Sequence, residues 1–201
     1  MPSFGVGLGL FGQASTERQL RNVYGKLKNC ETMVKRAIVR AVNRTAKKTE
    51  RYIVDEIAAK VAIKKKDLRP YIKFTKRAAT KSQYAEVTIS KQDRIQLIYF
   101  GAKQTKKGVT YRIEKKGKRK LIRSAFITTA KGHRFVTKRV GKARHPIYAP
   151  MRGPSPWGVF VVGGMKKQTK REVRVILKKE LKEEVRTGIL RINKIIPDLY
   201  K

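Results

Sequence analysis

The chain is 201 residues long, 40% apolar and 32% charged, with 51 Lys and Arg against 14 Asp and Glu and a formal net charge of +37. That length accommodates one domain with a real core, but most of its cations can find no carboxylate in the same chain, which points to a polyanion or an acidic protein surface as partner. A single cysteine, Cys30, excludes an internal disulfide framework and indicates a reducing compartment, and no stretch approaches the ~20 apolar residues that a membrane helix needs.

Residues 1–14 are glycine-rich and apolar. They read as a flexible arm that packs on a neighbouring subunit, ahead of a single domain over 15–201. The run GLGLFG fits GxGxxG formally, but no strand precedes it and no acid about 20 residues further on closes a dinucleotide-binding unit. The apolar start lacks the basic residues of a secretory signal. Ser15 and Thr16 then open a helical segment, with Glu17 near the positive end of its dipole. A longer helix is predicted from about Glu31 to Val61. Val34, Ile38, Ala41, Val42, Thr45, Tyr52, Ile53 and Ile57 form its apolar face, and Lys35, Arg36, Arg40, Arg44, Lys47, Lys48 and Arg51 its basic one. DLRP at 67–70 makes a turn, because the residue before proline leaves helical geometry.

From Tyr71 onward the apolar period changes to two. Strands are predicted at 71–77, 84–90, 95–100, 109–114, 125–130 and 134–140, as an antiparallel sheet with one buried face. KKGKRK at 115–120 reads as a hairpin tip, with Gly117 giving the turn its backbone freedom. With Lys103, Lys106 and Lys107, the cations Lys115, Lys116, Lys118, Arg119 and Lys120 are the candidate contacts to DNA or to an acidic neighbour. The last helix is predicted from about Lys166 to Ile196, where Pro197 stops it. Its stripe of Val173, Ile176, Leu177, Leu181, Val185, Ile189, Ile192 and Ile196 is expected to cover the apolar face of the sheet. Glu180, Glu183 and Glu184 alternate with Lys178, Lys179, Lys182 and Arg186 as pairs within that helix. Gly188 interrupts the stripe at a cost of about 1 kcal/mol against Ala.

Catalytic chemistry finds little to work with. The two histidines, His133 and His145, have no second ligand at metal spacing. Carboxylates are scattered, and Asp55 and Glu56 point in different directions on a helix. No phosphate-cradling GxxxxGK[ST] is present. Neither an enzyme nor a cofactor is expected. Zinc-finger, RRM and KH signatures are also missing. Tyr71, Phe74, Tyr84, Tyr99, Phe100 and Tyr111 interleave with cations on the predicted strands. Most belong to a core, and one or two could stack on bases.

Residues 124–156, SAFITTAKGHRFVTKRVGKARHPIYAPMRGPSP, resemble the phage minor tail protein Z family, the lambda-type tail completion proteins. The likeness rests on Ala125, Phe126 and Ile127; on Arg139, Gly141, Lys142, Arg144, Pro146 and Ile147; and on Gly153, Pro154, Ser155 and Pro156. AVNRTA at 41–46 and DLRPYI at 67–72 fall where that family has its long helix and basic turn. The glycine-rich arm and the apolar segment 156–164 depart from the family pattern. The resemblance implies a structural virion protein without catalytic residues. It implies a place at the head-proximal end of the tail, assembled in the host cytoplasm, as a homo-oligomeric ring around the DNA path. Neighbouring tail terminator, tail tube or head–tail connector proteins are the implied partners, with DNA in the lumen and no membrane.

The residues and the resemblance together predict an α+β domain, with an antiparallel sheet packed by a long N-terminal helix and a long C-terminal helix. The proline-rich strap at 139–156 is expected to be rigid, since proline fixes φ and lowers the entropy lost on docking. Trp157 is expected to anchor an interface or the core. With a quarter of its residues basic, a ribosomal or other RNA-binding protein is the alternative. A metal-dependent DNA-processing enzyme is the remaining one.

Overall fold

A computed structural model describes residues 10–195, with the side-chain surroundings of most of them. The helices are α1 (Leu10–Lys60), α2 (Lys65–Leu68), α3 (Pro156–Val162) and α4 (Met165–Ile195). The strands are β1 (Ile72–Lys76), β2 (Glu86–Ile89), β3 (Lys103–Thr105), β4 (Gly108–Tyr111), β5 (Lys120–Arg123), β6 (Ala125–Ala130) and β7 (His133–Lys138). The class is α+β as expected, with antiparallel strands and a long helix at each end. The strands form three small sheets, β1–β2, β3–β4–β5 and β6–β7, rather than one.

The two N-terminal helices expected from the sequence are one helix of 51 residues. No proline lies between Ser15 and Glu31, and Gly25 alone costs about 1 kcal/mol, too little to break a helix. Leu10–Ala14, expected in the arm, are its first residues. Residues 1–9 and the expected stop at Pro197 lie outside the described residues.

α4 runs along α1, not over a sheet. Lys48 meets Glu180, Arg40 and Arg44 meet Glu184, and Val34 lies beside Gly188 and Ile189, so the two helices are antiparallel. Small residues make the seam on α1, where Ala37, Ala41, Thr45, Ala46 and Thr49 are buried. The glutamates of α4 do not all pair within their own helix. Glu184 is buried and takes Arg40 Nε at 2.9 Å and Arg44 Nη1 at 2.7 Å, while Glu180, also buried, takes Lys48 Nζ. Burying a carboxylate is costly unless it is paired and hydrogen-bonded. Here the cationic partners stay partly in water, so only the acid is desolvated. Near its far end the pair opens an apolar recess of roughly 110 Å³, where Val34, Val185 and Ile189 are exposed.

The core gathers around the C-terminal part of α1. Ile53, Val54, Ile57 and Ala58 pack with Leu68, Ile72, Ile95, Leu97, Phe100, Val109, Val136, Phe160 and Met165. The stretch 95–100, predicted as a strand, turns instead into a 3-10 helix over Leu97–Phe100. Leu97 and Phe100 are buried, whereas Tyr99 is 40% exposed, so the governing spacing is three and not two. Gly101, at φ 62°, ends that turn. Two strands that were not predicted, β3 and β5, flank β4 on either side. They are short, KQT and KLIR, and their alternation is too brief to register as a pattern.

Candidate functional site

Two hairpins and a strap build the site. The β3–β4 connection is a two-residue turn, with Thr105 paired to Gly108 across it, so Lys106 and Lys107 are its tip. The Thr105 hydroxyl donates to the Gly108 carbonyl at 2.8 Å. Gly108 sits at φ 145°, and a Cβ there would lie 2.1 Å from the Ile122 carbonyl oxygen of β5, so no side chain fits. The β6–β7 hairpin turns at Lys131 and Gly132, both at positive φ, as the favoured two-residue turn requires.

The strap continues the β6–β7 sheet. Tyr148 N–H donates to the Lys138 carbonyl, Met151 N–H to the Val136 carbonyl, and the Thr137 hydroxyl to the Tyr148 carbonyl at 2.6 Å. On its other side Gly153 N–H donates to Ile95, and Leu97 N–H to Met151. The strap therefore lies between β7 and the 95–97 segment, tied to each by an isolated bridge and backbone hydrogen bonds. Gly153 lies against the Phe100 ring, where a Cβ would come within 2.6 Å. Ser155 then caps α3, accepting Gly158 N–H at 3.1 Å, with Pro156 buried at the first helical position. Pro154 contributes its carbonyl to Ile95 N–H. Gly153, Pro154, Ser155 and Pro156 thus hold the strap to the core and start a helix. Trp157 is half-buried, its ring 6.0 Å from that of Phe160, at the margin of the same core.

The first half of the motif is different. Arg139, Gly141, Lys142, Arg144 and Pro146 are exposed, in the loop that leaves β7, and Arg139 and Ile147 close its base as a bridge. This loop faces the β3–β4 tip. Between them lies an open groove of roughly 710 Å³, with Lys106 and Lys107 on one wall, Lys138, Arg139 and Lys142 on the other, and Ser124, Ala125 and Phe126 along its length. Arg139 stacks over the Phe126 ring, 5.6 Å from its centroid. Among the described residues, none of these five cations has a carboxylate partner.

The structure divides the cations singled out in the sequence. Lys106 and Lys107 reach the groove, while Lys103 is exposed on β3. The 115–120 segment forms the turn between β4 and β5, but it is not a projecting finger throughout. Lys115 N–H donates to the Lys60 carbonyl at 2.8 Å, Ala62 N–H to Ile113, and Val61 bridges Glu114. The segment's start therefore satisfies the end of α1, whose last carbonyls have no partner within the helix. Arg119 turns back onto the sheet, donating from Nη2 to the carbonyls of Gly101 at 2.6 Å and Thr110 at 3.1 Å. Gly117 has no positive φ. Its need is for space, since a Cβ would lie 3.1 Å from Glu114 Cβ. Lys116, Lys118 and Lys120 are left as the exposed cations of this turn.

One residue of the site had no signal in the sequence. Gln104 on β3 donates from Nε2 toward Gly108 at 3.3 Å and Ala125 at 3.4 Å, and its Oε1 accepts Ile127 N–H at 2.8 Å. Its amide stands in for a strand neighbour of β6 and fixes the distance between the two hairpins. Only the tertiary fold brings it there. Among the described residues no cluster of three or more His, Cys, Asp or Glu could hold a metal, and no helix is long and apolar enough to cross a membrane.

The family described as prophage minor tail protein Z (GPZ) matches residues 20–194. The chain belongs to that family. Neither the curated proteins nor the solved structures compared with it gave a match. A prophage minor tail protein is a component of the virion tail and meets other virion proteins there. Membership of the minor tail protein Z family favours a structural virion role over the RNA-binding alternative. The match spans α1 from residue 20, the three sheets, the strap and almost all of α4, so the residues of the basic groove lie within the matched region.

Proposed function

We propose that this minor tail protein is a tail completion protein, acting at the head-proximal end of the tail as a ring around the DNA path and joining tail to head. Its outward cations face DNA in the lumen or the acidic surfaces of adjoining tail terminator, tail tube or connector proteins. The observation that carries this reading is the family match over residues 20–194, joined to a surface charge that the chain cannot neutralise itself. Self-repulsion at +37 is relieved when subunits assemble against an anionic body. Catalysis plays no part in it. Trp157 and the exposed end of α3, where Val162 is 89% exposed, supply an apolar contact for a neighbour.

The test is a phage carrying Lys116→Glu, Lys118→Glu and Lys120→Glu, with Arg119 kept because its guanidinium holds the sheet. Its tails are expected to fail in joining heads or in retaining DNA, as seen in electron micrographs of the lysate. Wild-type infectivity of that phage would remove the proposal.

A further inference from the structure

We infer that the groove between the β3–β4 tip and the loop after β7 binds an acidic, partly apolar peptide segment of another virion protein. This deepens the reading above, that the chain's cations meet an anionic partner in the virion, and rests on it. Three observations carry it. First, the groove is one-signed, with cations on both walls and no acid among its lining residues. On α1 the picture differs, since Arg40, Arg44 and Lys48 already have carboxylates and cations such as Lys47 and Arg51 lie on an exposed helix face rather than in a recess. Second, the groove is concave, and it is bounded by a two-residue hairpin tip that Gly108 and Gln104 hold in place. A preorganised recess favours an extended chain, which can enter it. A duplex is a broad convex rod that touches proteins chiefly through its phosphates. Third, the floor is not wholly polar. The Phe126 ring and Val140 line it, and Arg139 stacks on that ring. A ring under a guanidinium offers apolar contact and a carboxylate-binding fork side by side. Phosphodiester backbone has use for the fork alone, whereas a peptide alternating acidic and apolar side chains has use for both.

The experiment is fluorescence anisotropy with the full chain at physiological salt. One probe is a labelled peptide of alternating glutamate and leucine, the other a short labelled DNA duplex. Lys107→Glu with Lys142→Glu is the groove variant. Neither side chain holds a hydrogen bond among the described residues, and circular dichroism checks that the variant is folded. Lys47→Glu with Arg51→Glu on the exposed face of α1 makes the same change in net charge elsewhere. The peptide is expected to bind, to lose at least about tenfold in affinity with the groove variant, and to change little with the α1 variant. Phe126→Ala is expected to weaken the peptide and leave the duplex unaffected. Three results overturn the inference: no peptide binding, equal losses from the two charge reversals, or a groove variant that weakens only the duplex. Peptide binding that fails while the phage variant above remains defective removes the groove alone. Peptide binding that succeeds beside a fully infectious phage variant removes the tail-joining role and leaves the groove as a site.

Discussion

Gly153 has no room for a side chain, because the Phe100 ring fills the space a Cβ would take, 2.6 Å away. Gly153→Ala must push either the strap or a fully buried phenylalanine, and is expected to cost about 1–3 kcal/mol in a urea titration. Gly188 is the opposite case, with nothing within 4 Å of the place a Cβ would occupy on the helix surface. Gly188→Ala is therefore expected to stabilise the isolated chain by about 1 kcal/mol, the helix-propensity difference. Two tyrosines carry a pH signature. Burial first, and neighbouring carboxylates second, hold the Tyr52 phenol above its ordinary value; burial likewise raises Tyr71. A folded pKa above the unfolded one leaves stability whole below about pH 10. Stability is then lost as pH rises through the folded value, because the unfolded chain ionises first. Lysines lose their charge over the same range, so the readout is a difference. Tyr52→Phe with Tyr71→Phe is expected to lose less stability than the wild type between neutral pH and strong alkali. Parallel curves would show that the phenols are not coupled to folding.

At the scale of elements, α1 and α4 are locked by glutamates that accept from across the seam. Glu184→Gln keeps the shape and removes the charge that Arg40 and Arg44 share. It is expected to cost about 1.5–3 kcal/mol, the range for hydrogen bonds to charged groups, and Arg40→Ala less, since Arg44 remains. Urea midpoints of the two variants check the order. Strong local pattern made several elements legible in the sequence itself. β6 was set by AFITTA and its KG turn, and α4 by its long stripe, free of proline and interrupted by Gly188 alone. The 95–100 segment misled because Ile95 and Leu97 are buried two residues apart, as in a strand, and the spacing of three begins only between Leu97 and Phe100. Sequence also could not give the destination of α4. Its stripe fits a helix as well as a sheet, and only the inward glutamates discriminate. Of the site, Lys106, Lys107, Arg139 and Lys142 were legible as cations and motif residues. That they face one another across a groove was not, because the two hairpins are joined by tertiary contacts alone, the Gln104 amide and the Ser124 N–H to the Lys107 carbonyl among them. The same limit applies to Arg119, which shares its charge with its neighbours but not its direction.

For the whole molecule the decisive quantity is the surplus of cations, 51 against 14 acids. Repulsion among exposed charges is screened by salt within about 10 Å at 0.1 M. Thermal stability of the isolated chain is therefore expected to rise as sodium chloride is added from very low ionic strength, until screening is complete. A melting temperature that falls instead would mean that ion pairs such as Lys65–Asp55 outweigh the repulsion. Glu180 and Glu184 sharpen the imbalance, because both turn inward and leave the solvent-facing shell with fewer anions than composition suggests. The consequence is one of timing. Under the proposed ring assembly, copies that carry such a shell would keep their distance in dilute buffer, and closure would wait for an oppositely charged template to arrive. A half-built tail would offer that template, so the order of construction would be written into which way two side chains point.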